Sequence, residues 1–224
     1  MNQYFHQELG ELYTEIAKLG GMVEESIGKA MASFTMADKV LARDVRTGDD
    51  KIDKLEVEIE ERCLNMLALY QPVARDLRFL VTALKVNNEL EHIGDLAESI
   101  ARKARKVPKS KVENSKMELM NMGESTQKMV SLALDAFLKE DSKKAWAVIH
   151  MDDEIDKFHA KHHRIISQDI ESDERSFSIP ELKMLSVSRS LERMADLATS
   201  IAEDVIYFVE GNIVRHRPRD DDNF

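Results

Sequence analysis

The chain carries one carboxylate pattern twice, and that duplication limits what it can fold into. Asp49-Asp50-Lys51-Ile52-Asp53 returns as Asp152-Asp153-Glu154-Ile155-Asp156, an offset of 103 residues. Leu90-Glu91-His92-Ile93-Gly94-Asp95-Leu96-Ala97 returns as Leu191-Glu192-Arg193-Met194-Ala195-Asp196-Leu197-Ala198, an offset of 101. Ala30, Phe34, Asp38, Ala42 and Val45 likewise meet Ala133, Phe137, Asp141, Ala145 and Val148. A period this long exceeds that of helical repeat arrays and indicates a duplicated small domain. The offset slips by only two, so the halves differ by one short loop.

Each half reads as three helices. Leu9, Leu12, Ile16, Leu19, Val23, Ile27, Ala30 and Phe34 step by three or four, which predicts one amphipathic helix. A second is expected over 38–70, with room for a break at Gly48. A third is expected over 75–105, after Pro72. The second half repeats the plan at 116–139, 141–171 and 180–210, with Pro180 at a helix start. No window alternates long enough for a strand. The fold class is therefore all-α: two tandem, pseudo-symmetric, antiparallel three-helix bundles over 1–106 and 116–211. Lys106-Val107-Pro108-Lys109-Ser110 links them, and 212–224 forms a polar C-terminal tail.

In all four motif copies an acid is followed four residues later by Asp, and on a helix those side chains stack on one face. The hairpin arithmetic brings the motifs together. Asp53 and Glu91 each lie 19 residues from Pro72, so an antiparallel pair sets Asp53 level with Glu91 and Asp49 level with Asp95. Asp156 and Glu192 centre on residue 174, in the polar stretch Ser172-Asp173-Glu174-Arg175-Ser176, so the second half is arranged alike. Equal helical rise on both sides makes this independent of helix ends. Helix axes about 8–10 Å apart let such carboxylates share ions. One pair alone reads as a solvated face beside Arg46, Lys51 and Lys54. Four pairs, duplicated and level, point to bound metal.

Two histidine patterns qualify this. Glu89-x-x-His92 matches half of the di-iron carboxylate signature, but the second half has Ser190 and Arg193 there, which argues against oxidase chemistry. His159 and His163 extend the Asp152/Asp156 face, where the first half has Glu56 and Glu60, and His162 lies beside them. They stand about 10–17 Å along the helix from Asp152, too far for one mononuclear site. If they ligate, the second site favours Fe, Ni or Zn over Mg or Ca.

A net charge of −10 disfavours nucleic acid and anionic membrane as direct partners. No apolar run is long enough to span a bilayer. Met1-Asn2-Gln3-Tyr4-Phe5-His6 lacks the basic and apolar regions of a signal peptide, so a cytoplasmic protein is expected. The single Cys63 excludes an intramolecular disulfide. No Gly-rich phosphate loop, Gly-x-Ser-x-Gly or Walker lysine is present, and no catalytic residue is assigned.

The motifs together resemble the PhoU family. Ser190 to Ala198, Ser200 to Tyr207, Gly211, Val214-Arg215-His216, Gly48 to Asp53, and Leu69-Tyr70-Gln71-Pro72-Val73-Ala74-Arg75-Asp76-Leu77-Arg78 carry the resemblance, which covers nearly the whole chain. It implies paired three-helix bundles that bind multinuclear metal clusters, iron first, with nickel, zinc, manganese or magnesium as alternatives. It implies a regulatory adaptor that represses phosphate uptake and phosphate-starvation signalling. The implied partners are the ATPase subunit of a phosphate ABC transporter, a phosphate-sensing histidine kinase and a second copy in a homodimer, with the membrane reached only through partner proteins. Carried over by position, one metal set is Asp49, Asp53, Glu91 and Asp95, and the other is Asp152, Asp156, Glu192 and Asp196. Glu98 against Thr199 and Gly94 against Ala195 depart from the symmetry. The alternative is a carboxylate-cluster metalloenzyme, hydrolase or oxidase-like, using metal-activated water.

Overall fold

The computed structural model describes residues 3–104, 113–172 and 179–214, without the side chains of 113–116, 162–163, 165–172 and 179–181. The expected linker 106–110, the polar turn at 173–176, the last ten residues of the tail, and the side chains of His162 and His163 lie outside the described residues.

Six helices follow in order: α1 (Gln3–Met36), α2 (Lys39–Tyr70), α3 (Ala74–Lys103), α4 (Glu113–Leu138), α5 (Ser142–Ser172) and α6 (Ile179–Glu210). The described residues contain no strand, and the fold is all-α. The apolar stripe of α1 is its buried face: Leu12, Ile16, Leu19, Val23, Ile27, Ala30 and Phe34 are all fully buried. Two sequence expectations need correcting. α2 runs unbroken through Gly48, because one glycine costs a helix only about 1 kcal/mol, and Val45 and Ile52 hold its two sides in the core. α4 begins at Glu113, earlier than its apolar periodicity shows.

The turn between the first and second helix of each half is built twice from the same parts. Ala37 and Glu140 both adopt positive φ, 56° and 52°. The next backbone amides, of Asp38 and Asp141, donate to the carbonyls of Ser33 and Ala136, each at 2.9 Å. That is a Schellman ending with a left-handed residue at its corner. Each aspartate then caps the following helix. Asp38 accepts from the amides of Val40 and Leu41, and Asp141 from that of Lys144.

α1, α3, α4 and α6 form the centre, where α1 packs on α3 and α4 and α6 packs on α3 and α4. α2 lies outside on α1 and α3, and α5 outside on α4 and α6. The halves therefore share one continuous core. Reciprocal contacts mark the pseudo-twofold relation between them. Gly20 abuts Leu134, and Gly123 abuts Met31, positions that exchange under the 103-residue offset.

An aromatic joint closes the seam. Phe79 stacks between Tyr13 (4.6 Å between centroids) and Phe137 (5.7 Å) and meets Phe208 edge-on at 5.6 Å. Above it Tyr13 donates to Glu140 at 2.7 Å, Arg75 pairs with Glu140, and the Arg75 guanidinium lies over the Phe208 ring. Burial, followed by the Glu140 hydrogen bond, holds the Tyr13 phenol well above its ordinary pKa. Lys85 of α3 and buried Asp204 of α6 add an ion pair at 2.9 Å. No helix among the described residues is long and apolar enough to cross a membrane.

Candidate metal centres

Both acidic faces lie on the helix pairs that carry the outer helices, α2 with α3 and α5 with α6. Buried Ile52 and Ile59 of α2 and Leu90, Ile93 and Ala97 of α3 hold the first pair together. The acids flanking these residues are thereby turned to the edge of the same seam. Gly94 helps set the spacing, since a Cβ there would stand 3.3 Å from Ile52 and 3.6 Å from Asp49 Oδ1.

Asp49, Asp53 and Asp95 converge: each offers one carboxylate oxygen, and the three oxygens lie within 4.8 Å of one another. Asp49 Oδ1 is buried and has no hydrogen-bond partner among the described residues. Burial, then the charges of Asp53, Asp95, Glu98 and Glu91, push the Asp49 carboxyl up to about 6. Asp53 is raised too, by burial and then Asp95. Glu91, the fourth expected member, stands outside the three-oxygen group but within electrostatic reach, its carboxyl raised by burial and then by Asp95. Folding has thus gathered mutually repelling carboxylates and left one buried oxygen unsatisfied. A cation would supply what such a site lacks. An all-oxygen donor set suits hard ions such as magnesium, manganese or ferric iron.

Two further acids join the first face. Glu98 raises both Asp49 and Asp53, and is itself held by Arg46 and Arg102. Glu56, one turn beyond Asp53, is raised by burial and then by Glu60, Glu91 and Asp53. Asn87 donates to its carboxylate at 2.8 Å. Spacing alone could have found both, since Glu98 lies seven residues after Glu91 and Glu56 seven after Asp49. His92 is half-exposed, 3.9 Å from Glu89 and 3.8 Å from Glu91, away from the aspartate group.

The second face is built differently. Asp152 is buried, 7% exposed, while Asp156 and Asp196 are exposed. Asp196 is raised by burial and then by Asp152, with Glu192 adding to it. Arg193 lies 3.6 Å from Asp196 where the first half has His92. Among the described residues no second set of three ligand atoms is drawn together as in the first half. His159 enters this face. Its Nε2 is 3.4 Å from Glu192, and its Nδ1 is 2.9 Å from the Ser188 hydroxyl. The spacing argument measures along α5 from Asp152 and leaves ligation by His159 open. Across the hairpin, His159 stands against Glu192. The pair Ser188–His159 occupies the positions of Asn87–Glu56 in the first half. The equivalent of Glu98 is Thr199, whose hydroxyl is buried without a partner among the described residues.

Comparison with known proteins bears on the whole chain. The PhoU domain profile matches residues 16–104 and again 119–205. The phosphate-specific transport system accessory protein PhoU homolog of Pseudomonas aeruginosa is 36% identical over 96% of this chain and 89% of its own length. PhoU of Escherichia coli, under the same accessory-protein name, is 33% identical over 95% of this chain and 88% of its own. The crystal structure of the P. aeruginosa protein aligns with a TM-score of 0.88, covering 93% of this chain and all of that one. The phosphate transport system regulatory protein PhoU of Streptococcus pneumoniae aligns at 0.86 with 28% identity, covering 94% and 99%.

Proposed function

This chain belongs to the PhoU family, a non-enzymatic family of accessory and regulatory proteins, and on that premise we propose that it is a metal-binding adaptor that represses phosphate uptake and phosphate-starvation signalling. It acts on the cytoplasmic side, by contact with the ATPase subunit of the phosphate ABC transporter and with the phosphate-sensing histidine kinase, and it works as a homodimer. The names of the relatives support the transport system as its setting.

The observation that supports metal in this account is the convergence of Asp49, Asp53 and Asp95 around an unsatisfied buried oxygen. In the first centre Asp49, Asp53 and Asp95 would hold an ion, with Glu91 as the fourth carboxylate. In the second, Asp152, Asp156, Glu192 and Asp196 would do so, with His159 as a nitrogen donor. Iron, nickel, zinc, manganese and magnesium are the candidate ions. A metal clamping α2 to α3, or α5 to α6, would stiffen the outer helices, the surfaces a partner meets first. Regulation by occupancy needs no turnover.

Deletion of the gene tests the proposal. Phosphate uptake and the starvation response are then expected to stay on in high phosphate, and the wild-type chain is expected to repress both. Normal repression in the deletion strain would refute the regulatory role.

A further inference from the structure

On the face of α2 turned from the aspartate group, a cleft of about 510 Å³ opens between α1 and α2, within the range of small-molecule sites. Met22, Val45 and Ile52 form its apolar side. Ser26 of α1 supplies a hydroxyl that is buried and has no partner among the described residues. Three other helical serines return their hydroxyls to the preceding turn: Ser33 to Ala30, Ser190 to Ser186 and Ser200 to Asp196. Ser26 does not, and a buried hydroxyl left this way has given up its hydration for no replacement bond.

Gly48 sits in the cleft wall in the middle of α2. A Cβ there would meet nothing within 4 Å, and its φ is not positive, so neither packing nor backbone geometry requires glycine. The consequence of having glycine is open space. The duplicated half is an internal control. At the positions of Gly48, Ser26 and Lys29 it has Met151, Met129 and Leu132. Met129 is fully buried, and Met151 and Leu132 pack on the core. At these three positions one half carries hydrophobic side chains and the other a glycine, a serine and a lysine.

The charges at the rim are balanced. Lys29 and Lys51 face Glu25 and Asp44, and Lys29 bonds Glu25 at 2.7 Å. Both lysines act to keep Glu25 ionised. A simple anion would meet two carboxylates here, and a simple cation two ammonium groups. A ligand with separated charges satisfies both and can place a polar atom on Ser26 and a short apolar part on Val45 and Ile52. We propose that this cleft is a binding site for a small zwitterion of amino-acid to dipeptide size. The inference stands apart from the metal centres and the adaptor reading, since none of its lining residues belongs to the aspartate group.

The test is carbon-13 methyl-methionine NMR of the full chain, following the Met22 methyl during titration with individual L-amino acids, with glycyl-leucine, with sodium phosphate and with magnesium chloride. At least one zwitterion is expected to shift Met22 saturably. Gly48→Met, which copies the residue of the second half, is expected to abolish that shift while keeping the helical circular dichroism. Lys51→Gln, at an exposed position, is expected to weaken it without filling the cleft. The proposal is overturned if no amino acid or dipeptide saturates, if phosphate or magnesium alone does, or if the shift survives unchanged in both variants.

Discussion

Asp49 and Asp95 face each other across the α2–α3 seam with carboxylate oxygens no more than 4.8 Å apart, and one oxygen of Asp49 is buried without a partner among the described residues. They come from opposite arms of a hairpin, 46 residues apart in sequence. Helix packing pays for a repulsive arrangement that bound metal would make attractive.

The first prediction concerns metal content. Protein purified without an affinity tag is expected to contain more than one metal ion per chain. Asp53→Asn combined with Asp95→Asn is expected to empty the first centre and spare the second, read by elemental analysis. Unchanged metal content in that variant would remove the assignment.

A second prediction follows from the raised pKa of Asp49, about 6. A folded-state value above the ordinary aspartate range means its contribution to stability is complete below that range and is lost as pH rises through 6. Metal-free protein should therefore lose stability, from this group, between about pH 4 and 6. Metal requires the ionised carboxylate, so affinity is expected to rise over the same interval with proton release. Denaturant midpoints with and without chelator, and calorimetry in two buffers, would check both signs. Metal affinity that does not change with pH would contradict them.

The third prediction concerns the seam between halves. Phe79→Ala removes a ring that touches Tyr13, Phe137 and Phe208 and is expected to cost about 3–5 kcal/mol. Because the halves share a core, both should unfold in one transition, monitored by Trp146 fluorescence for the second half and by far-ultraviolet dichroism for the whole.

The fourth concerns a helix end. Gln71 closes α2 in the left-handed region (φ 46°), with its amide on the Leu67 carbonyl. Gly211 closes α6 by the same bond to Tyr207. Gln71→Gly is expected to stabilise by about 1 kcal/mol by removing the Cβ penalty. A loss of stability in chemical denaturation would contradict this.

Much of this was legible in the sequence because helical rise is the same everywhere. Counting outward from Pro72 was enough to set Asp49 level with Asp95. The apolar stripe of α1 likewise named its buried face. Periodicity does not say which helix meets that face, so the merging of two bundles around α1, α3, α4 and α6 was not readable. Gly48 invited a break because glycine is a weak helix former, yet neighbours in the core outweigh one such residue. The approach of His159 to Glu192 was not readable for a related reason: distance along one helix ignores how far a side chain reaches across to the next. The cleft at Ser26 was silent in the sequence. Only the contrast of Gly48 with Met151 could have hinted at it, and that contrast needs the packing to acquire meaning.

The central claim is that this chain regulates by contact and not by turnover. Its most direct test is capture of the transporter ATPase subunit by the purified, metal-loaded protein, with the Asp53→Asn, Asp95→Asn variant beside it. The account predicts stable capture by the wild type, weaker capture by the variant, and no metal-dependent phosphatase or oxidase activity in either. Robust turnover with no ATPase captured would contradict it.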